Sequence, residues 1–327
     1  MSDVHELLPF VRKKVGDFLY PYGSFPDDDF EQQEGYESEY QTPSGDEQVE
    51  RYRIEVLVSA EKLVPLFLDL CALLPEQVVV SLERASADVY SRWDEFVSEE
   101  VGRQEFLELF REHQFALAED GNLGLGAFSP EPPIEVFLGS HKEIVVFTPE
   151  LKPVTEVLKR HGVERRALEL YYQRDHSHVA LVDYRGLRGP EYDFLHVADV
   201  IRHELGMQLQ TDDDENVDDE GNPLGLVPWH AVVIAFAVRR ARAWRRAGRA
   251  FLQEFGLTAA SRREARELLE RRLEEDGYAL DGLEELFRID PSALPAHAQP
   301  PPGALERPGI WYVGDRADAT NHLHGDD

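Results

Sequence analysis

Apolar positions along this chain repeat with two periods, and the periods predict its elements. Within residues 3–19, Val4, Leu7, Leu8, Val11, Val15 and Phe18 recur at three- and four-residue spacings, which predicts an amphipathic helix. Residues 53–58 alternate and read as a strand, after which Ser59 caps a helix to about Leu74. Residues 77–82 form a second strand, and helical stretches follow near 87–98 and 103–114.

A strand-rich run comes next. Residues 115–119 and 123–128 flank Asp120-Gly121, a hairpin signal. Residues 134–138 and 143–147 flank the turn Gly139-Ser140-His141-Lys142. Thr148-Pro149-Glu150 opens a helix that ends at His161-Gly162. Residues 168–173 and 179–184 predict a hairpin around Arg174-Asp175-His176-Ser177, and a helix over about 192–209 follows. Further helices are expected over about 229–255, 261–276 and 281–288.

The implied organisation is an N-terminal helix (1–19), an acidic linker containing aromatics (20–51), an α+β domain (52–210), an acidic loop (211–228), a helical region (229–290), and a proline-rich linker with a tail (291–327). Hairpins joined to βα units predict α+β with a mixed or largely antiparallel sheet, followed by a helical C-terminal region. Two ferredoxin-like halves fit that order, although no residue-level repeat marks a duplication.

Charge sharpens the picture. The 327 residues carry 34 Lys+Arg against 64 Asp+Glu, a net charge of -30. Such a charge repels nucleic acids and anionic membranes at long range and favours a basic partner. It is unevenly spread. Residues 1–50 hold 13 acids and three bases, a net of -10, whereas residues 239–272 hold 11 Arg and four Glu, a net of +7. One cysteine, Cys71, permits no internal disulfide and no cysteine-based metal site. No apolar run is long enough to span a membrane, and the N-terminus lacks the pattern of a signal peptide, so a cytoplasmic location is expected.

Four constellations merit weighing. On the helix over 192–209, His196, Asp199 and His203 share a face opposite the apolar residues, a ligand set for a divalent metal if His176 or His178 joins it. A solvated polar face has the same pattern. The His203-Glu204 pair does not make a zinc-protease motif, because position 207 is Met207. The glycines Gly121, Gly124 and Gly126 lead into a strand, the wrong context for a phosphate loop. In the acidic loop, Asn216, Asp218 and Glu220 imitate half of an EF-hand, but its last ligand position falls on Val227.

The fourth constellation carries the leading expectation. Arg239, Arg242, Arg245, Arg246 and Arg249 line one side of a helix that presents Trp244 on the other. The acidic segment with Tyr36 and Tyr40 complements that stripe, and Trp311 lies in a tail too apolar to hang free. The reading is a non-catalytic cytoplasmic protein-binding module, such as an adaptor, inhibitor or immunity-type protein, with a protein partner or a second copy of itself and no cofactor. The alternatives are a metal-dependent hydrolase built on His196, Asp199 and His203, and a nucleic-acid-associated regulator using the arginine helix, which the net charge opposes. No Gly-x-Ser-x-Gly elbow occurs, and Cys71 sits in a core pattern.

Overall fold

Strict alternation builds the first sheet. In β6 (Gln77–Ala85), Val78, Val80 and Leu82 turn to the core; in β9 (Pro133–Leu138), Ile134, Val136 and Leu138 do; in β10 (Ile144–Thr148), Ile144 and Val146 do. The computed structural model describes residues 7–42, 50–210, 214, 216–237 and 250–319. The chain divides into two units, Met1–Ala85 with Trp93–Gln210, and Ser86–Arg92 with Thr211–Asp327.

The first unit opens with the short pair β1 (Lys14–Val15) and β2 (Phe18–Leu19), then β3 (Ser24–Pro26). Its main sheet adds β4 (Gly35–Gln41), β5 (Arg51–Leu57), β7 (Trp93–Gly102), β8 (Leu123–Pro130) and β12 (Gln208–Leu209). A separate short strand, β11 (His176–His178), pairs with β3. The eight strands run in the order β12-β7-β6-β8-β9-β10-β5-β4, every neighbouring pair antiparallel.

Helices α1 (Ala60–Cys71), α2 (Arg103–Glu112), α3 (Gln114–Glu119), α4 (Leu151–Arg160) and α5 (Phe194–Glu204) share one core with this sheet. Phe67, Phe106, Phe110 and Leu66 are fully buried there, each contributing about 1.5–3 kcal/mol. The opposite face of the sheet carries Glu83, Glu135, Phe137, Val145 and Phe147, which line an open groove.

Several expectations change in this unit. The described part of residues 3–19 is the β1–β2 pair, not a helix. Residues 93–102 are strand rather than helix, and 115–119 belong to α3 rather than to a hairpin. The segment 168–184 is a pair of one-turn 3-10 helices around β11. The acidic aromatic segment is built into the unit: Tyr20 is fully buried, and its hydroxyl donates to the Phe30 carbonyl at 2.6 Å.

The second unit overturns the expected helical C-terminal region. It is a four-stranded antiparallel sheet, ordered β15-β13-β14-β16, of β13 (Val227–Ala237), β14 (Phe251–Ala259), β15 (Tyr278–Arg288) and β16 (Gly309–Asp318). One helix, α6 (Arg262–Glu275), packs Ala265, Leu269 and Leu273 into its core. Helices are therefore scattered along an α+β chain, not gathered at its end.

The cause is visible in the register. Val233 pairs with Leu283 and Ala235 with Leu280, with irregularities at Val232/Val233 and Ile234/Ala235. Each irregularity inserts an extra residue into β15. Its inward residues Leu280, Leu283 and Leu286 therefore fall every third position and imitate a helix. In β13 the true signal is period two, with Ala231, Val233 and Ala235 all inward.

Arg288 anchors this unit. Its Nε lies 2.7 Å from Asp88 Oδ2, and its Nη1 donates to Asn216 Oδ1 and the Val217 carbonyl at 3.1 and 2.5 Å.

Candidate metal centre

Two separate segments deliver three imidazoles to one place. His176 and His178 are two residues apart on β11, so both rings leave the same side of the strand. Pairing with β3 fixes their register, His176 opposite Pro26 and His178 opposite Ser24. His141 comes from the β9–β10 turn.

That turn is held from beneath. Lys142 has φ +64°, is fully buried, and donates from Nζ to the Leu117 and Leu123 carbonyls at 2.9 and 2.7 Å. From the side, the Tyr171 hydroxyl donates to the His141 carbonyl, and the Tyr172 ring stacks on the His141 ring at 4.5 Å. A third support is a backbone contact. A Cβ on Gly121 would lie 1.9 Å from the Gly23 carbonyl oxygen, so only glycine lets these chains meet. Asp120 braces the same corner, accepting from the Leu181 and Asn122 amides at 2.8 Å each.

The ring nitrogens are sorted into two roles. His176 Nδ1 faces the Arg174 carbonyl at 2.8 Å, and His178 Nδ1 faces the Gly121 carbonyl at 2.6 Å. A carbonyl only accepts, so both Nδ1 atoms carry the proton and both Nε2 atoms keep a lone pair. His141 Nε2 faces His176 Nε2 at 3.2 Å, while its Nδ1 lies 3.8 Å from Glu143 Oε1. One ligand atom from each ring falls within 4.8 Å of the others. Tetrahedral zinc with bonds of about 2.0–2.1 Å holds its nitrogens about 3.3 Å apart, close to the His141–His176 spacing.

Local electrostatics keep His178 neutral. Desolvation pushes the His178 pKa down to about 4, reinforced by the two neighbouring imidazoles and Lys142. Burial lowers Lys142 to about 8, although the carboxylates around it favour its charge.

His141 also lines the groove on the open face of the main sheet, a space of about 400 Å³. Glu83 sits there opposite Glu95 across the β6–β7 ladder, with Gly124 as its other neighbour. Burial, then the charges of Glu95, Glu143 and Glu135, raise its pKa to about 7. Glu135 is also raised, mainly by burial. Glu143 Oε2 is buried with no hydrogen-bond partner. Phe137 lies across β8 where Gly126 leaves space for its ring.

The residues singled out from sequence fall elsewhere. His196, Asp199 and His203 are exposed on α5, and Asp199 is engaged by Arg84 and Arg202 at 3.2 and 2.9 Å. Among the described residues, the convergent histidines are His176 and His178 with His141. Arg239, Arg242, Trp244, Arg245, Arg246 and Arg249 lie outside the described residues. Tyr36 packs partly against the first core, and Tyr40 donates to Glu50 at 2.7 Å. Trp311 covers Gly256 and donates from Nε1 to Thr258 Oγ1 at 3.1 Å. In the acidic loop, Asp218 Oδ1 accepts from the Glu220 and Asn222 amides at 3.1 and 2.7 Å, closing a turn. The one sequence signal for the centre is His-x-His on a strand; His141 joins only through tertiary structure.

Comparison with known family models, curated proteins and solved structures finds no match. The described helices include none long and apolar enough to cross a membrane.

Proposed function

We propose that this protein binds one divalent transition-metal ion, zinc fitting best, through His141, His176 and His178. The convergence of three imidazoles, two of them with Nδ1 turned to a carbonyl, supports the reading. Such outer contacts orient metal-binding histidines and fix their tautomer. Nitrogen donors suit zinc, copper or nickel and suit magnesium or calcium poorly. Three protein ligands also match zinc sites that keep one position for water, whereas structural sites use four.

The test is metal loading of the full chain after chelation, read by elemental analysis and by the visible absorption of a cobalt(II) substitute. One ion per chain is expected, lost in His141→Ala, His176→Ala and His178→Ala and unaffected by His196→Ala or His203→Ala. Absence of bound metal, or loss through His196→Ala alone, overturns the proposal.

A further inference from the structure

Resting on that metal reading, we infer that the centre is hydrolytic and cleaves an ester or amide of a molecule that bears a positive charge. Location supports this first. His141 belongs to both the metal centre and the groove lining, so a ligand bound in the groove touches a residue of the centre. The chemistry of the groove supports it next. The carboxylates of Glu83 and Glu135 form no side-chain hydrogen bond or salt bridge among the described residues, both are half-buried, and Arg51 lies near enough to Glu135 to favour its charge. Arg53 on the groove lining is paired with Glu55, so Glu95, Glu135 and Glu143, with Glu83 once ionised, leave the groove net negative, which favours a cation over a phosphate ester. The aromatic surface adds to this: Phe137, Phe147 and Trp93 line the same space, and aromatic rings attract organic cations.

The reaction needs only water as co-reactant. Held by His141, His176 and His178, zinc would lower the pKa of a bound water to about 7. Glu83 takes the proton of that water, being itself a group that exchanges protons near neutrality under the influence of Glu95, Glu135, Glu143 and Lys142. The hydroxide adds to the carbonyl carbon. The tetrahedral intermediate then breaks its bond to the leaving oxygen or nitrogen, which takes the proton from Glu83. Water and acyl compound become acid and alcohol or amine, with no change of oxidation state.

The experiment uses the zinc-loaded full chain and three 4-nitrophenyl esters of equal acyl length. Their acyl chains end in a trimethylammonium, a methyl and a carboxylate group, and 4-nitrophenyl phosphate is the fourth substrate. Chelator-abolished hydrolysis is expected, fastest for the ammonium ester, slowest for the carboxylate ester, with the phosphate inert. Glu135→Gln shrinks the ammonium-to-methyl ratio of kcat/KM about tenfold, the scale of one desolvated charge contact. Glu83→Gln keeps one zinc per chain while kcat falls about 100-fold. Bound zinc with rates equal to the chelated protein, or a preference for the anionic substrates, overturns this inference and leaves the metal site standing. Failure to bind zinc overturns both.

Discussion

His141 and His176 stand 35 residues apart in the chain and meet through their Nε2 atoms at 3.2 Å. With His176 Nδ1 bonded to the Arg174 carbonyl, the metal-free pair holds one proton between the two Nε2 atoms. A cation at His141 Nε2 takes the place of that proton, and the neutral ring then carries it on Nδ1, on the side of Glu143. Zinc at 100 times its dissociation constant is expected to raise unfolding free energy by about 2.7 kcal/mol. Urea titration with and without zinc measures this, and His176→Ala removes the gain.

His178 gives the metal-free protein a pH dependence of its own. Its folded pKa is about 4, below the ordinary imidazole value of about 6.5. The unfolded chain therefore binds the proton first. The stability that His178 contributes is present above pH 6.5 and lost as pH falls from 6.5 toward 4. Denaturation of the metal-free wild type and His178→Gln at pH 7.5, 5.5 and 4.5 isolates this contribution by difference. A smaller acid loss is expected in the variant, and equal losses refute the assignment.

Lys142 is expected to be costly to replace despite its place in a turn. Its ammonium satisfies two buried carbonyls, those of Leu117 and Leu123. Lys142→Met leaves both without a donor and should destabilise the protein by about 2–4 kcal/mol in urea titration. Zinc affinity should fall as well, because the neighbouring His141 loses its anchor.

In the second unit, Asp88 holds the guanidinium of Arg288 by contacts of 2.7 and 2.9 Å to Nε. Asp88→Ala strands a buried cation and is expected to cost about 3–5 kcal/mol. The paired change Asp88→Ala with Arg288→Met should recover part of that loss. A double-mutant cycle by chemical denaturation reads the coupling.

How legible the molecule was in its sequence depended on whether the period of each segment was local. Helices α1, α4 and α6 and strands β5, β6, β9 and β10 follow unbroken periodicity and lie about where the sequence expects them, although of the three helices only α6 is capped by a side chain, that of Ser261, while Ser59 makes no cap bond to α1 and Glu150 rather than Thr148 precedes α4. β15 does not, because bulges stretch its inward leucines to a spacing of three. β7 hides Phe96 among acidic neighbours, since one of its faces lines the open groove. The site was half legible. The sequence offered His176 or His178 only as an added ligand for the set on α5, and His141 reaches them only because Gly23 touches Gly121 and Tyr171 ties β3 to the turn.

Glu83 offers the clearest link between the groove and stability. Its carboxyl lies opposite Glu95 across the ladder, and its folded pKa of about 7 exceeds the ordinary value of 4.5. The folded state therefore keeps a proton that the unfolded chain releases. The contribution of Glu83 to stability is complete below about pH 4.5 and disappears as pH rises through 7. By pH 8 the ionised groove costs about 3 kcal/mol at most, since a tenfold change in proton affinity corresponds to about 1.4 kcal/mol. Glu83→Gln, which cannot ionise, should exceed wild type in stability at pH 8 and match it at pH 4. Glu95→Gln removes one of the repelling charges, so the gain from Glu83→Gln should shrink in that background. Chemical denaturation of the four proteins at both pH values tests the claim. A wild type equal to Glu83→Gln at pH 8 would show that the carboxyl ionises there without penalty, and would remove the reason to regard it as a proton acceptor near neutrality.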